Sequence, residues 1–310
     1  VTTRDGVAAL TLALGLLGLA SPAAAYVRYK SKDGKVDFAW PQTCIAISGY
    51  PEDIALMMPL DEVTNAVNSA AFTWSSGGDA CTNLAITVSM STAPAPRAVN
   101  DGSNSLIFRT KDWCLLNADG SCDPTSNAYD RSALALTSVS ASTLTGHIKD
   151  ADIEVNGFFA WADLVAHPEL NTPTSNVQDL QNALTHEMGH LIGLDHTCVP
   201  ANTPAPLDNL GNPVPECDQA PPAVVETTMF PSANPGDVSK RTLAPDDQQA
   251  VCDIYPASTP LPCIAPPDPG PGGCNCAAAG GRAGPGAAAG LGLSGLIVVR
   301  ARRRRGGPRR

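Results

Sequence analysis

The sequence predicts an α/β domain of the α+β kind: a twisted mixed sheet, a helix bearing three histidines at or beyond its end, and a C-terminal helix. Three observations predict it. Short stretches of strand-like alternation fill most of residues 83–156. Residues 60–74 and 177–191 instead carry apolar side chains at helical spacing. Residues 243–255 form a last helical stretch, with Asp246 and Asp247 where the helix dipole favours negative charge.

In chain order, residues 35–40 alternate weakly and suggest a first strand. Leu60, Val63, Val67, Ala70, Ala71 and Trp74 then share one face of a helix. Leu84, Ile86, Val88 and Met90 alternate with polar neighbours, the pattern of a half-buried strand. Residues 105–109 and 134–139 are further strands. Residues 146–156 mix Ile148, Ala151, Ile153 and Val155 with Lys149, Asp150, Asp152 and Glu154. Those charges fit an exposed edge strand that they would keep from aggregating. Val177, Leu180, Leu184, Met188 and Leu191 make the buried stripe of the next helix, with Ser175 or Asn176 as N-cap and Asp179 near its positive end. Between His196 and Phe230, seven prolines mark a surface excursion: Pro200, Pro204, Pro206, Pro213, Pro215, Pro221 and Pro222.

Both ends read as processing segments. Residues 1–25 have the form of a secretory signal peptide: Arg4, an apolar run from Val7 to Ala20, and Ala23-Ala24-Ala25 as the cleavage site. Residues 26–255 are then the folded domain, 256–273 a proline-rich linker, and 274–310 a C-terminal tail. Ten cysteines without a C-x-x-C pair suit an oxidising compartment. Eight precede the tail, and closeness in sequence favours Cys114–Cys122, Cys198–Cys217 and Cys252–Cys263, leaving Cys44 with Cys81. Net charge is −10 although seven of the last eleven residues are arginine, so the body is strongly acidic. That argues against nucleic acid as a partner. Some aspartate-rich loops are candidates for calcium, though such loops are more often simply solvated. The tail joins Cys274-Asn275-Cys276, a Gly/Ala-rich stretch ending in Leu296-Ile297-Val298-Val299, and the arginines. Arg282 leaves too short a run for a comfortable span of about 20 residues.

The chemistry lies in His186-Glu187-Met188-Gly189-His190-Leu191-Ile192-Gly193-Leu194-Asp195-His196, which reads H-E-x-x-H-x-x-G-x-x-H. Histidines four apart project from one helix face and can share a metal. Gly193 tolerates a left-handed turn that ends the helix and brings His196 round as third ligand. Three imidazoles leave a tetrahedral zinc one open position for water, and Glu187 beside the first ligand is placed to take that water's proton. A lone His-Glu-x-x-His arises by chance on ordinary helices. All five specified positions would match a random chain of this length roughly once in a hundred thousand. Met188 and Leu191 are read as packing.

This motif resembles that of the metzincin zinc metallopeptidases, and its flanks are similar to the matrixin-like branch over about residues 40–255. Residues 60–74 resemble that branch's first helix, Thr228-Met229-Phe230-Pro231 its Met-turn, and 243–255 its closing helix. The resemblance implies a metzincin-like fold, zinc on His186, His190 and His196, Glu187 as general base, and Met229 as the methionine beneath the metal. Met229 by itself would be read as core. It also implies an endopeptidase acting on protein or peptide substrates, expected as a monomer. Two features depart from the pattern: there is no Pro-Arg-Cys-Gly cysteine switch, and Phe230 cannot serve as an extra tyrosine ligand. The tail resembles the myxobacterial C-terminal sorting tag (MYXO-CTERM-like), which implies membrane association, processing by a sorting enzyme near Cys274 or Cys276, and residence at the outer-membrane surface or outside the cell. The competing class is a catalytically silent metzincin-like surface module for binding or adhesion, which would have no need of Glu187. Another zinc hydrolase, such as an esterase, fits the extended motif less well.

Overall fold

The computed structural model describes residues 25–51, 54, 58–76, 81–123, 125–258 and 300–301. Its strands are β1 (Val27–Arg28), β2 (Cys44–Tyr50), β3 (Ala85–Met90), β4 (Ser105–Arg109), β5 (Ala135–Ala141), β6 (Ile148–Asn156), β7 (Ala160–Ala162), β8 (Val177–Asp179) and β9 (Leu194–Asp195). The helices are α1 (Leu60–Ser76), α2 (Leu180–Leu191), the single turn α3 (Pro222–Val225) and α4 (Pro245–Ile254). Five strands form a mixed sheet in the order β3-β2-β4-β6-β5, in which only β5 runs antiparallel to its neighbour. The α/β reading holds at this level.

Helices α1 and α2 pack on each other and against the sheet, α1 over β3 and α2 over β5 and β6. Val63, Val67, Ala70, Ala71 and Trp74 of α1 meet Leu180, Leu184, Met188 and Leu191 of α2 in one core with Ile45, Ile47, Leu106, Phe108, Ile153 and Val155. The core extends from Tyr26 to Tyr255. Of the expected α1 face, only Leu60 is exposed. Residues 35–40 form no strand; their register is held by isolated bridges, Lys30 with Asp37 and Ala39 with His147.

The charged strand is not at the edge. β6 lies inside the sheet between β4 and β5, and β5 is the outer strand. Alternation resolves the conflict: Ala151, Ile153 and Val155 face the core, while Asp150, Asp152 and Glu154 lie on the opposite face and are buried as well. Each carboxylate has partners there. Glu154 accepts from Arg109 Nε at 2.6 Å and Tyr129 Oη at 2.7 Å. Asp150 accepts from the amides of Asp101 and Gly102 at 2.6 and 2.8 Å. Asp152 accepts from the Ser105 amide and hydroxyl. Paired and hydrogen-bonded in this way, carboxylates can occupy an interior strand.

Helix α2 begins later than Ser175 or Asn176 would have it. Residues 177–179 are a strand paired with β7, so Val177 lies outside the helix, and Asp179 is the N-cap, its carboxylate accepting from the Asn182 amide at 2.8 Å. Arg241 grips the same carboxylate at 2.8 and 2.6 Å, which fixes the start of the helix to the segment before α4.

Cys114–Cys122 and Cys198–Cys217 are disulfides as expected, but the third described bridge is Cys81–Cys252. This overturns both the Cys44–Cys81 and Cys252–Cys263 pairings. The reason is tertiary: the end of α4 runs beside residues 81–84, where Thr82 Oγ1 donates to Tyr255 O at 2.8 Å. That contact brings the Cα atoms of Cys81 and Cys252 to 5.3 Å despite 171 residues of separation. Cys44 is disulfide-bonded too, while Cys263 lies outside the described residues. The disulfides point to an oxidising environment.

Candidate metal centre

Helix α2 carries His186, Glu187 and His190 into the interior, where all three are buried. The helix stops at Ile192, and Gly193 takes φ +99°, with its amide donating to His190 O at 2.9 Å. Glycine is required there twice over. The left-handed conformation resists a side chain, and a Cβ would lie 2.6 Å from the Phe38 carbonyl oxygen. The reversed chain becomes β9, pinned by antiparallel pairing with β1, and delivers His196 to the other two histidines.

The three Nε2 atoms stand 3.1, 3.1 and 3.3 Å apart. The opposite ring nitrogens say what these contacts are. His186 Nδ1 lies 2.7 Å from Thr228 O, and His190 Nδ1 lies 2.8 Å from Leu194 O. Carbonyl oxygens only accept, so each Nδ1 carries the proton and each Nε2 presents a bare lone pair. Burial, the largest influence, holds His186 and His196 well below the usual histidine range and His190 down at about 3, so the imidazoles are neutral. The bare lone pairs of His186 and His190, 3.1 Å apart, repel each other unless a positive centre stands between them. His186, His190 and His196 can hold a metal ion, and among the described residues they are the one such grouping of histidine, cysteine and carboxylate side chains. His196 is only half-buried, so the centre is reached from its side.

Glu187 is buried without an ion-pair partner. Its Oε2 accepts from Thr137 Oγ1 at 2.5 Å, and its Oε1 has no hydrogen-bond partner. Burial raises its carboxyl to about 8, against the opposing pull of the Thr137 hydroxyl and the Lys240 charge. Lys240 is itself buried, donating to the carbonyls of Phe230 and Ser232 and so holding the chain just after Met229. Met229 lies under the helix: a Cβ at Gly189 would overlap its sulfur and come 2.8 Å from Trp74 Cζ2. Thr228, whose carbonyl holds His186, is fixed in turn by Asp247 Oδ2, which accepts from its amide at 2.8 Å.

Thus the structure gathers His186, His190, His196, Glu187, Gly193 and Met229 at one place. It adds Thr137, Gly189 and Lys240, which the sequence reading did not single out, and Asp247, which that reading placed only at the start of the last helix. It also adds Tyr29, whose hydroxyl lies 3.1 Å from His190 Nδ1. Gly189 did leave a signal, since a glycine in a helix interior costs about 1 kcal/mol relative to alanine and asks for a packing reason. Two cavities, of about 350 Å³ beside Tyr50 and Arg109 and about 510 Å³ beside Phe72 and Gln181, are lined by none of the metal-centre residues. The chain matches no model of a known protein family, and comparison with curated proteins finds no match either.

Proposed function

We propose that this chain is an exported zinc-dependent endopeptidase of the metzincin, matrixin-like kind. The observation that carries the reading is the convergence of three Nε2 atoms, two of them with bare lone pairs, beside a glutamate whose Oε1 has no hydrogen-bond partner among the described residues. The donor set fits zinc. Four-coordinate bonds of about 2.0–2.1 Å place ligand nitrogens about 3.3–3.4 Å apart, close to the observed separations. Zinc bound there would supply a Lewis acid and a water of lowered pKa. Glu187 would accept that water's proton at Oε1 and return it to the leaving amine. Strand β5 supports a peptide substrate: it is one of the two outer strands of the sheet, it packs on α2, and an extended chain can add to such an edge.

Export and surface attachment belong to the same proposal. The disulfides support it, and among the described residues no helix is long and apolar enough to cross a membrane. The signal segment through residue 24, most of the linker, and the tail apart from residues 300–301 lie outside the described residues. The reading is tested by zinc content and proteolysis measured together. The purified chain should hold one zinc and lose casein or gelatin cleavage on chelation. Glu187→Gln should keep the zinc while turnover falls by orders of magnitude, and His190→Ala should lose the metal. Near-normal turnover in Glu187→Gln would overturn the mechanism. Zinc retained by an inert parent would favour the binding-module alternative.

A further inference from the structure

We infer that Thr137 is a positioning residue for Glu187, holding its carboxylate so that a single oxygen is left to act; this rests on the hydrolase reading above. Thr137 lies within β5 opposite Ile153 and is wholly buried. Its hydroxyl stands 2.5 Å from Glu187 Oε2 and 3.2 Å from the Glu187 carbonyl oxygen. With Glu187 ionised, the form in which it can act as a base, both oxygens only accept, so the single hydroxyl proton has two candidate acceptors and goes to the nearer. The carboxylate is therefore tied at Oε2. Oε1, buried and without a partner, is the oxygen that remains for a donor arriving at the centre.

The geometry explains why a threonine is needed there. A glutamate side chain turns about three bonds, and packing alone does not fix the last of them, which is broad. A short hydrogen bond from a strand fixes it, because β5 is held by its ladder to β6. The donor also sits on the strand proposed to receive substrate, so the substrate edge and the base are built on one rigid element. A valine would fill the same volume but leave both carboxylate oxygens without a donor.

The experiment compares Thr137→Val and Thr137→Ser with the parent chain. In Thr137→Val, zinc content and KM for a peptide substrate should stay at parent values while kcat falls about 10–100-fold, the usual loss when a group supporting a metal centre is removed. Thr137→Ser, which restores the hydroxyl, should recover most of it. A second readout needs neither metal nor turnover. In metal-free protein, the infrared carboxyl band assigned to Glu187 by its loss in Glu187→Gln should shift in Thr137→Val and return in Thr137→Ser. If Thr137→Val does not fold, Thr137→Ser against Thr137→Ala makes the same comparison, since both lack the methyl and only one has the hydroxyl. An unshifted band, or a kcat within about twofold of the parent in an active enzyme, overturns the positioning role alone. A zinc-loaded parent that cleaves nothing overturns the hydrolase reading, and the positioning role with it.

Discussion

Replacing a helix-interior glycine by alanine ordinarily stabilises a protein by about 1 kcal/mol. At Gly189 the structure predicts the opposite sign. The added Cβ would overlap the Met229 sulfur and lie 2.8 Å from Trp74 Cζ2. Met229 can bend, but it is 1% exposed and packed within the core, so it must bend against its neighbours. Trp74 is less yielding still, because its indole N–H donates to Thr185 O at 2.7 Å and locks the ring onto α2. Relief therefore requires α1 and α2 to part slightly, and they share the centre of the core. Overpacking of this kind costs about 1–3 kcal/mol. After the propensity gain, the net expectation for Gly189→Ala is a loss of up to about 2 kcal/mol. Urea unfolding of the metal-free protein measures it, read as a lower midpoint at unchanged slope, so that the change belongs to the folded state. Trimming the partner should help: Gly189→Ala with Met229→Ala should be less destabilised than the two single losses added together, because the new methyl occupies part of the emptied space. A Gly189→Ala chain stabilised by the full helix-propensity gain of about 1 kcal/mol would refute the claim that Met229 and Trp74 close on this glycine.

Two further outcomes are expected. Burial, with help from the neighbouring Asp150 and Glu154 charges, lifts the Asp152 carboxyl to about 7. Its folded pKa thus exceeds its unfolded value, so its contribution is present at low pH and is lost as pH rises from about 4 to about 7. The buried histidines act in the opposite sense in that window, so the measurement is the difference between Asp152→Asn and the parent, which should grow in favour of the variant across it. A pH-independent difference would count against a buried Asp152 carboxyl with a raised pKa. The tail reading predicts a mature chain that lacks the arginine cluster and ends close to Cys276. Mass spectrometry of protein from its own cells decides it, and a freely secreted chain ending at Arg310 would rule out the sorting tag while leaving the protease proposal standing.

The metal centre was legible because its spacing is local. A four-residue interval fixes two imidazoles on one helix face, and a glycine three positions on permits the reversal that returns a third. Both follow from backbone geometry before any long-range contact forms. What stayed hidden depends on which distant segments meet. Thr137 is 50 residues from Glu187, and nothing local marks it off from the other polar side chains of β5, Ser138 and Ser140. Tyr29 reaches His190 across 161 residues. The mistaken cysteine pairings have the same origin. Loop closure favours near neighbours, whereas Cys81 and Cys252 are brought together by the docking of α4 beside residues 81–84.

The misplaced strand shows where a sequence pattern can point the wrong way. Charges at alternate positions of β6 suggest water on one side, and an edge is the simplest way to supply it. The protein instead covers that side with the segment between β4 and β5, which brings Tyr129 onto Glu154, while Arg109 of β4 pairs with the same carboxylate. Trp113, Tyr129, Ala133 and Leu136 form a separate small cluster in the same region, and Cys114–Cys122 closes a loop within it. That covering keeps β6 interior and leaves β5 as the outer strand. The position of β5 is what matters for chemistry, because it sets Thr137 against Glu187 while keeping one strand edge unpaired beside α2. Had the charged strand been the edge, the donor to Glu187 and the free edge would lie on different elements. Burying three carboxylates is therefore coupled to the placement of the candidate base, a link that alternation within β6 alone could not reveal.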